Sequence, residues 1–196
     1  MTRNPFPESQ SRAMEALGLL HSDLKEFPIY SYGKFKYYIS FLDDFTSHAW
    51  IILLKKKSDA ENAINQFINF LQNQFNRLPK RWRFDGGGEF TKSISTLKQK
   101  GIIVELSMSN TLQCHGQAEC LNRTLMDKAL AMMFHSGTPR SWWQFAVEYA
   151  TFIYNRTPMK RHNWRTPYEA LTGNKPNIAD VKVFGCGAYV FTPQER

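Results

Sequence analysis

The order of apolar patterns along the chain is the feature that most constrains the fold. Three strand-like segments come first, at residues 19–24, 35–42 and 48–54, and short polar connections join them. Strands joined by such short connections pair in antiparallel fashion, because a crossover to a parallel strand needs a dozen or more residues. The first quarter of the chain therefore predicts an antiparallel meander of three strands.

The pattern then alternates between helix and strand. Ser58 followed by Glu61 predicts a capping box, and apolar residues at helical spacing after it predict a long amphipathic helix. A short helix at residues 93–100 is flanked by strand patterns at 80–85 and 102–106. Strands separated by a helix run parallel, so we expect an α/β fold with a mixed five-stranded sheet, an antiparallel meander plus parallel strands, and helices on both faces.

Two further helices are predicted after the last strand. A loop at residues 107–116 should lead into a helix that begins near Ala118, and Thr138-Pro139 should cap the next one. A short helical element at 166–173 and a strand-like tail at 181–191 complete the pattern. The predicted buried face of the second helix consists of Trp142, Ala146, Tyr149 and Ile153.

The length of the chain, 196 residues, fits one domain with a sizeable core. Residues 1–17 lack periodicity and are interpreted as a linker or upstream remnant, residues 18–175 as the domain, and residues 176–196 as a C-terminal extension. Lys and Arg exceed Asp and Glu by 8, so the surface should attract polyanions such as nucleic acid. With three cysteines and neither a signal peptide nor a membrane-length apolar run, we expect a soluble protein in a reducing, intracellular compartment.

Three acidic residues stand in positions that suit metal-assisted phosphoryl transfer. Asp23 lies in an otherwise apolar strand, where burial would be costly unless a metal or a cation compensates it, although a solvated strand end is an equal alternative. Asp85 ends the fourth strand before three glycines that allow a close approach by a ligand, or that form a plain turn. Glu119 is predicted in the first turn of its helix, where the helix dipole stabilises a carboxylate and also attracts phosphate.

Other candidate ligands fit less well. Asp43 and Asp44 are interpreted as turn residues, and Glu89 as a solvated residue or a supporting partner beyond the glycines. A zinc site is not predicted, because the available Cys and His residues lack the paired spacing of structural zinc sites. The residues considered for zinc were Cys114, His115 and Cys120.

Several short motifs connect these acids to a known family. They are His-Ser-Asp at 21–23, Phe-Leu-Asp-Asp-Phe at 41–45, Phe-Asp-Gly-Gly-Gly-Glu-Phe at 84–90, Gly-Gln-Ala-Glu-Cys-Leu-Asn-Arg-Thr at 116–124, Tyr-Asn-Arg-Thr-Pro at 154–158, Thr-Pro-Tyr-Glu-Ala-Leu-Thr-Gly at 166–173 and Val-Phe-Gly-Cys at 183–186. From about residue 19 to residue 190 the chain resembles the integrase catalytic core of copia-type LTR retrotransposons, which is related to retroviral integrases and to ribonuclease H.

The resemblance implies an RNase H-like fold and a polynucleotidyl transferase. Asp23, Asp85 and Glu119 match the family's catalytic metal-binding acids, which hold two divalent ions, Mg²⁺ or Mn²⁺. The implied reaction trims a DNA 3′ end and then joins it to target DNA. Element ends and target DNA are thus the implied partners, together with further copies of the chain. Neither an organic cofactor nor a membrane is implied, and the implied location is the nucleus with a cytoplasmic phase.

Residues near the acids suggest how DNA would be held. Asn122 and Arg123 lie three and four positions after Glu119 and so share its helix face, and His115 precedes it by one turn; all three are predicted DNA contacts. Basic clusters at 55–57, 80–83 and 160–165 could contact phosphates, or could be ordinary solvated surface.

Two alternative functions stay open from the sequence. The interval between Asp85 and Glu119, 33 residues, is shorter than usual in the family, and Cys120 stands where the family has an arginine. Leu112 replaces a usual proline, and Cys114 and His115 replace polar amides. These departures fit a catalytically decayed, nucleic-acid-binding or multimerising remnant of an integrase. A ribonuclease H would share the acids but not the segments at 154–158 and 183–186.

Overall fold

The computed structural model describes residues 12–85, 90–107 and 112–188. Within these ranges, the side chains at 85, 91, 92, 107 and 112–115 are outside the description. The strands are β1 (Leu19–Glu26), β2 (Tyr37–Asp43), β3 (Ala49–Leu54), β4 (Arg81–Asp85) and β5 (Ile103–Ser107). The α-helices are α1 (Ala60–Phe75), α2 (Thr91–Gln99), α3 (Leu112–Ser136), α4 (Trp143–Arg156) and α5 (Pro167–Thr172).

The described strands form one mixed sheet in the order β3-β2-β1-β4-β5. β2 pairs antiparallel with both β1 and β3, and β4 pairs parallel with both β1 and β5. The antiparallel meander and the parallel strands predicted from the sequence are both confirmed. The connection between β1 and β4 contains α1, as the rule for parallel neighbours requires.

Each face of the sheet packs against its own helices. On one face, α1 buries residues at i, i+3, i+4, i+7, i+8 and i+11, which is the spacing of a single helical stripe. On the other face, α3 and α4 enclose a second cluster in which Trp143 stacks on Phe27 with ring centroids 3.8 Å apart. Every central strand is therefore covered on both sides, and helices on both faces are confirmed.

Helix α1 begins differently from the prediction. The Ser58–Glu61 capping box is wrong, because Lys57–Asp59 forms a single 3-10 turn and Asp59 is the residue that precedes the α-helix. The carboxylate of Asp59 instead accepts a hydrogen bond from the backbone N–H of Lys56 at 3.0 Å. An acidic side chain thus still offsets the partial positive charge at the start of the helix, one residue later than Ser58.

Helix α4 begins later and buries a different face from the one predicted. A 3-10 turn at Arg140–Trp142 precedes it, so the first α-helical residue is Trp143 and not the residue after Pro139. Trp143 is buried at 1 % exposure, whereas Trp142 is 40 % exposed and contacts only the edge of Phe145 among described aromatic rings. The buried apolar residues of α4 are Trp143, Ala146, Val147 and Ala150.

The described residues after α4 form α5 and no further strand. Thr166 caps α5 by accepting the backbone N–H of Glu169 at 3.0 Å, and Gly173 ends the helix with a positive φ, as predicted. The strand predicted at 181–191 is wrong for residues 181–188, and residues 189–191 lie outside the described ranges. None of the helices that the structure describes combines the length and apolarity needed to cross a membrane.

His48 gives the fold a predictable response to acid. Burial, and then the positive charge of Arg156, lowers the pKa of His48 to about 3. An unfolded histidine has a pKa of about 6.5, so below that pH the unfolded chain binds a proton that the folded chain excludes. The free energy of unfolding should therefore fall by about 2 kcal/mol from this residue alone between pH 7 and pH 5.

Urea unfolding of His48→Phe at both pH values tests that effect. The variant should lose about 2 kcal/mol less than the wild type over the interval. His135→Gln is the matched control, because His135 is exposed near the end of α3 and should leave the loss unchanged. Equal losses in all three proteins would contradict the assignment to His48.

Candidate functional site

The backbones of two of the three predicted acids lie next to each other in the sheet. Ser22 of β1 pairs with Phe84 of β4 in a parallel register, and the residues that follow this pair are Asp23 and Asp85. Neighbouring strands are about 4.8 Å apart. The side chain of Asp85 is not described, so the distance between the two carboxylates stays a prediction.

Asp23 lies in the middle of β1 and is half-buried. It pairs with Ser40 of β2, and the Ser40 hydroxyl donates to its backbone carbonyl at 3.3 Å. The side chain faces α3, since Asn122 of α3 donates from Nδ2 to Asp23 Oδ2 at 2.8 Å. Of the two positions that the sequence left open, the structure excludes the solvated strand end.

Tyr38, on β2, lies near enough to this acid to be influenced by its charge. Its side chain is fully buried, and no described residue accepts or donates a hydrogen bond at its hydroxyl. Burial, and then the negative charge of Asp23, raises the pKa of Tyr38. The phenol of Tyr38 therefore stays protonated.

Glu119 is on α3 and is exposed. The prediction that it lies in the first turn of its helix is wrong, because α3 begins at Leu112 and Glu119 follows two turns later. The helix dipole falls off within the first turn, so it contributes little at this position. What fixes Glu119 is the next turn of α3, where Leu121 and Asn122 are buried at 3 % exposure.

Asn122 connects the helix to the strand. It is 3 % exposed, and its Oδ1 atom is buried without a hydrogen-bond partner among the described residues. The geometry favours a role in orienting Asp23 over the direct DNA contact that the sequence suggested. Arg123 is exposed and donates to Cys120 Sγ at 3.4 Å, so a DNA contact at this position stays a prediction.

The structure gives only part of the predicted metal site. Among the side chains that it describes, no three His, Cys, Asp or Glu residues are grouped closely enough to hold a metal ion, and Asp85 is not in that set. His115 and Cys114 are likewise outside it. The described donors, the carboxylates of Asp23 and Glu119, are the hard oxygen ligands that Mg²⁺ and Mn²⁺ prefer, so their chemistry fits such ions.

The basic cluster at residues 80–83 does not form a free positive surface. Glu105 of β5 accepts from Arg83 Nε at 2.9 Å and from Arg81 Nη1 at 3.1 Å, which joins β5 to β4 two residues before Asp85. Burial alone would raise the pKa of Glu105, but the two arginines outweigh it and lower the pKa. Lys80 pairs with Glu15 at the surface. These contacts align β4 and β5 near the candidate site.

Asp43 and Asp44 have structural roles that the sequence did not show. They occupy the predicted turn but are buried at 0 % and 1 % exposure. Asp43 accepts the backbone N–H groups of Leu17 and Thr46 at 2.8 and 2.9 Å. Burial would raise the pKa of Asp44, but hydrogen bonds from His21 and from the backbone of Ala13 outweigh it and lower the pKa to about 2.

Comparison with known proteins supplies the family. The profile of the family described as "Integrase core domain" matches residues 13–114, more than half of the chain. The chain belongs to the integrase core domain family. The match includes Asp23 and Asp85 and ends before Glu119.

Curated relatives agree with that assignment and are similar over a longer stretch. The integrase core is 31 % identical over 94 % of its length to the retrovirus-related Pol polyprotein from transposon RE1 of Arabidopsis thaliana. It is 32 % identical over 99 % of its length to the corresponding polyprotein from transposon TNT 1-94 of Nicotiana tabacum. The chain spans only 13 % and 15 % of these two polyproteins.

Solved structures show the same fold at low sequence identity. A chain of the simian T-cell lymphotropic virus intasome, in complex with PP2A regulatory subunit B56 gamma, aligns with a TM-score of 0.69 and 15 % identity over 92 % of this chain and 64 % of that one. The HTLV-2 integrase catalytic core domain in complex with magnesium aligns with a TM-score of 0.61 and 17 % identity, over 81 % of this chain and 99 % of that one. The RNase H-like fold of retroviral integrase cores is confirmed.

Proposed function

We propose that this integrase core performs divalent-metal-dependent processing of DNA 3′ ends and their transfer to target DNA, with Asp23, Asp85 and Glu119 as its metal ligands. The observation that carries the proposal is the 2.8 Å hydrogen bond from Asn122 to Asp23. This bond ties α3 to β1, and Glu119 lies one turn earlier on α3, where it is exposed.

The chain's own residues have distinct parts in this proposal. Asp23, Asp85 and Glu119 would hold two Mg²⁺ or Mn²⁺ ions, which supply Lewis-acid stabilisation of the attacking and leaving oxygens. Asn122 keeps the Asp23 carboxylate in one orientation, because its donor occupies Oδ2. The Arg81–Glu105–Arg83 contacts hold β4 and β5 in register. The pairing of β4 with β1 brings the backbone at Asp85 beside that at Asp23.

The partners follow from the relatives. One similar structure is an intasome, and another is an integrase core with magnesium in a trimeric form. For this chain we accordingly propose DNA as substrate, Mg²⁺ or Mn²⁺ as cofactor, and assembly of several copies, with function in the nucleus. The net charge of +8 supports the DNA partner.

Nicking and strand transfer on short duplex DNA test the proposal. The wild type should cut and join DNA in Mg²⁺ or Mn²⁺ and do neither in EDTA, and Asp85→Asn should be inactive in both metals. The wild-type reaction needs the ions because phosphoryl transfer without charge neutralisation has a far higher barrier. Identical behaviour of wild type and Asp85→Asn in both metals would favour the alternative, a remnant that binds DNA without acting on it.

A further inference from the structure

A cavity of about 440 Å³ lies outside the candidate acid site, where residues 12–13 meet the turn after β2 and the segment between α4 and α5. Its volume is in the range of small-molecule binding sites. The residues of its lining that the argument uses are Arg12, Arg161, Arg165, His162, Asp44 and Phe45. We refer to it below as the arginine pocket.

The arginine pocket has unbalanced positive charge. Arg12, Arg161 and Arg165 line it, while Asp44 is the one acid among its described lining residues. Both oxygens of Asp44 are already engaged, Oδ2 by the backbone N–H of Ala13 at 2.7 Å and Oδ1 by His21 at 3.3 Å. Three like charges that converge on one cavity repel each other unless an anion joins them.

Arg161 and His162 are held in place by hydrogen bonds. Arg161 donates from Nη2 to the backbone carbonyl of Asp44 at 2.7 Å, and the ring of His162 is hydrogen-bonded through Nε2 to Ser47 Oγ at 2.8 Å. Burial, and then the charge of Arg12, lowers the pKa of Arg161. Burial, and then the charges of Arg161, Arg165 and Arg12, lowers the pKa of His162. Arg161 is therefore a fixed positive group in a partly enclosed space that Arg12 and Arg165 also line, while His162 stays uncharged at neutral pH.

We propose that the arginine pocket binds a backbone phosphate of the DNA on which the integrase acts. Arginine suits this ligand, because its planar donors match two phosphate oxygens at once. Phe45, which is 43 % exposed, adds an apolar ring to the lining that can contact a sugar. The inference rests on the proposed function, since it takes the same DNA as its ligand.

The pocket lies a short distance along β1 from Asp23. The backbone N–H of Asp44 donates to the carbonyl of Leu19, four residues before Asp23 on β1. At about 3.3 Å per residue, four residues of strand span about 13 Å. Duplex DNA carries one negative charge per about 1.7 Å of helix axis, so several phosphates lie within that distance.

DNA binding measured in EDTA tests the pocket without requiring catalysis. The double variant Arg12→Gln/Arg165→Gln removes two exposed pocket cations. The matched control, Lys98→Gln/Lys100→Gln, removes two exposed cations at the C-terminal end of α2, outside the basic clusters named above. The probe is a 20-base-pair duplex, and its affinity is followed by fluorescence anisotropy over a range of salt concentrations. Thermal melting of each variant establishes that it folds, and Arg165→Gln alone replaces the double variant if that protein does not.

The pocket variant should bind the duplex at least about tenfold more weakly than the wild type. The slope of log affinity against log salt should become shallower by about 1.8, or by about 0.9 for Arg165→Gln alone, because each lost phosphate contact removes about 0.9. The lysine control should keep the wild-type slope to within half of that change. Equal changes in both variants would mean that the loss of positive charge alone weakens binding, whichever residues carry it. That result would overturn the proposal.

Inorganic phosphate separates a DNA phosphate from a small anion. If phosphate raises the melting temperature of the wild type but not of the pocket variant, while both proteins bind DNA equally, the pocket serves a free anion and the proposal is wrong. A wild type that binds DNA through the pocket but fails to nick it in Mg²⁺ would contradict the proposed function and leave the pocket standing. The pocket proposal is therefore tested by DNA binding, and the proposed function by DNA nicking.

Discussion

Replacing Glu119 with glutamine is expected to lower the rate of Mg²⁺-dependent DNA nicking and strand transfer by about 1,000-fold or more. The substitution keeps the size of the side chain and removes the negative charge that would hold a divalent ion. Charge stabilisation by such ions is worth several kcal/mol in the transition state, and each 1.36 kcal/mol changes the rate tenfold. Because Glu119 is exposed, the melting temperature should change little.

The matched control for this variant is Asp127→Asn. Asp127 is also an exposed acid on α3, two turns further along the helix, so its replacement changes the charge of the same helix by the same amount. It should leave the rate within about twofold of the wild type, as surface substitutions away from a site do. A Glu119→Gln variant as active as Asp127→Asn, in Mg²⁺ and in Mn²⁺, would remove Glu119 from the proposed site.

Asn155→Ala is expected to cause the largest loss of stability among the substitutions considered. Asn155 is 6 % exposed and belongs to the Tyr-Asn-Arg-Thr-Pro motif. Its Oδ1 accepts the backbone N–H of Ala49 at 2.8 Å, and its Nδ2 donates to the carbonyl of the same residue at 2.7 Å. One side chain therefore satisfies both backbone groups at the start of β3 and joins α4 to the edge of the sheet.

Truncating that side chain leaves a buried donor and a buried acceptor without partners. Each such group costs about 1 to 3 kcal/mol, so the free energy of unfolding should fall by about 2 to 6 kcal/mol in urea titrations. Asn73→Ala is the control, since Asn73 is exposed on α1 and alanine is the better helix former. A loss below about 1 kcal/mol for Asn155→Ala would mean that water replaces the amide at Ala49.

The sequence predicted the sheet well because its signals are local. Each strand lies within three residues of its predicted segment, and the parallel or antiparallel sense followed from the length of each connection. The start of α3 was missed because Gly116 and polar residues precede its apolar stripe, and these resemble a loop when read alone. The helix extends back to Leu112, which moves Glu119 away from the helix end.

Contacts between distant residues could not be predicted in the same way. The residue types of Asn122 and Asn155 gave no indication that one would bind Asp23 and the other the backbone of Ala49, 99 and 106 positions away. Neither did the basic residues at 80–83 reveal that Glu105 engages two of them. A family motif marks such residues as important, but only the fold shows what each one holds.

The contacts that hold α3 in place also affect how the integrase core can tolerate insertions and deletions before this helix. The helix is held by Asn122 at Asp23 and by Leu121, Leu125 and Ala129 in the core that it shares with α4. None of these contacts depends on the number of residues between Asp85 and the helix. Segments that connect well-packed elements can lengthen or shorten at small cost. An interval of 33 residues, shorter than the family's usual one, is therefore compatible with the same location of Glu119.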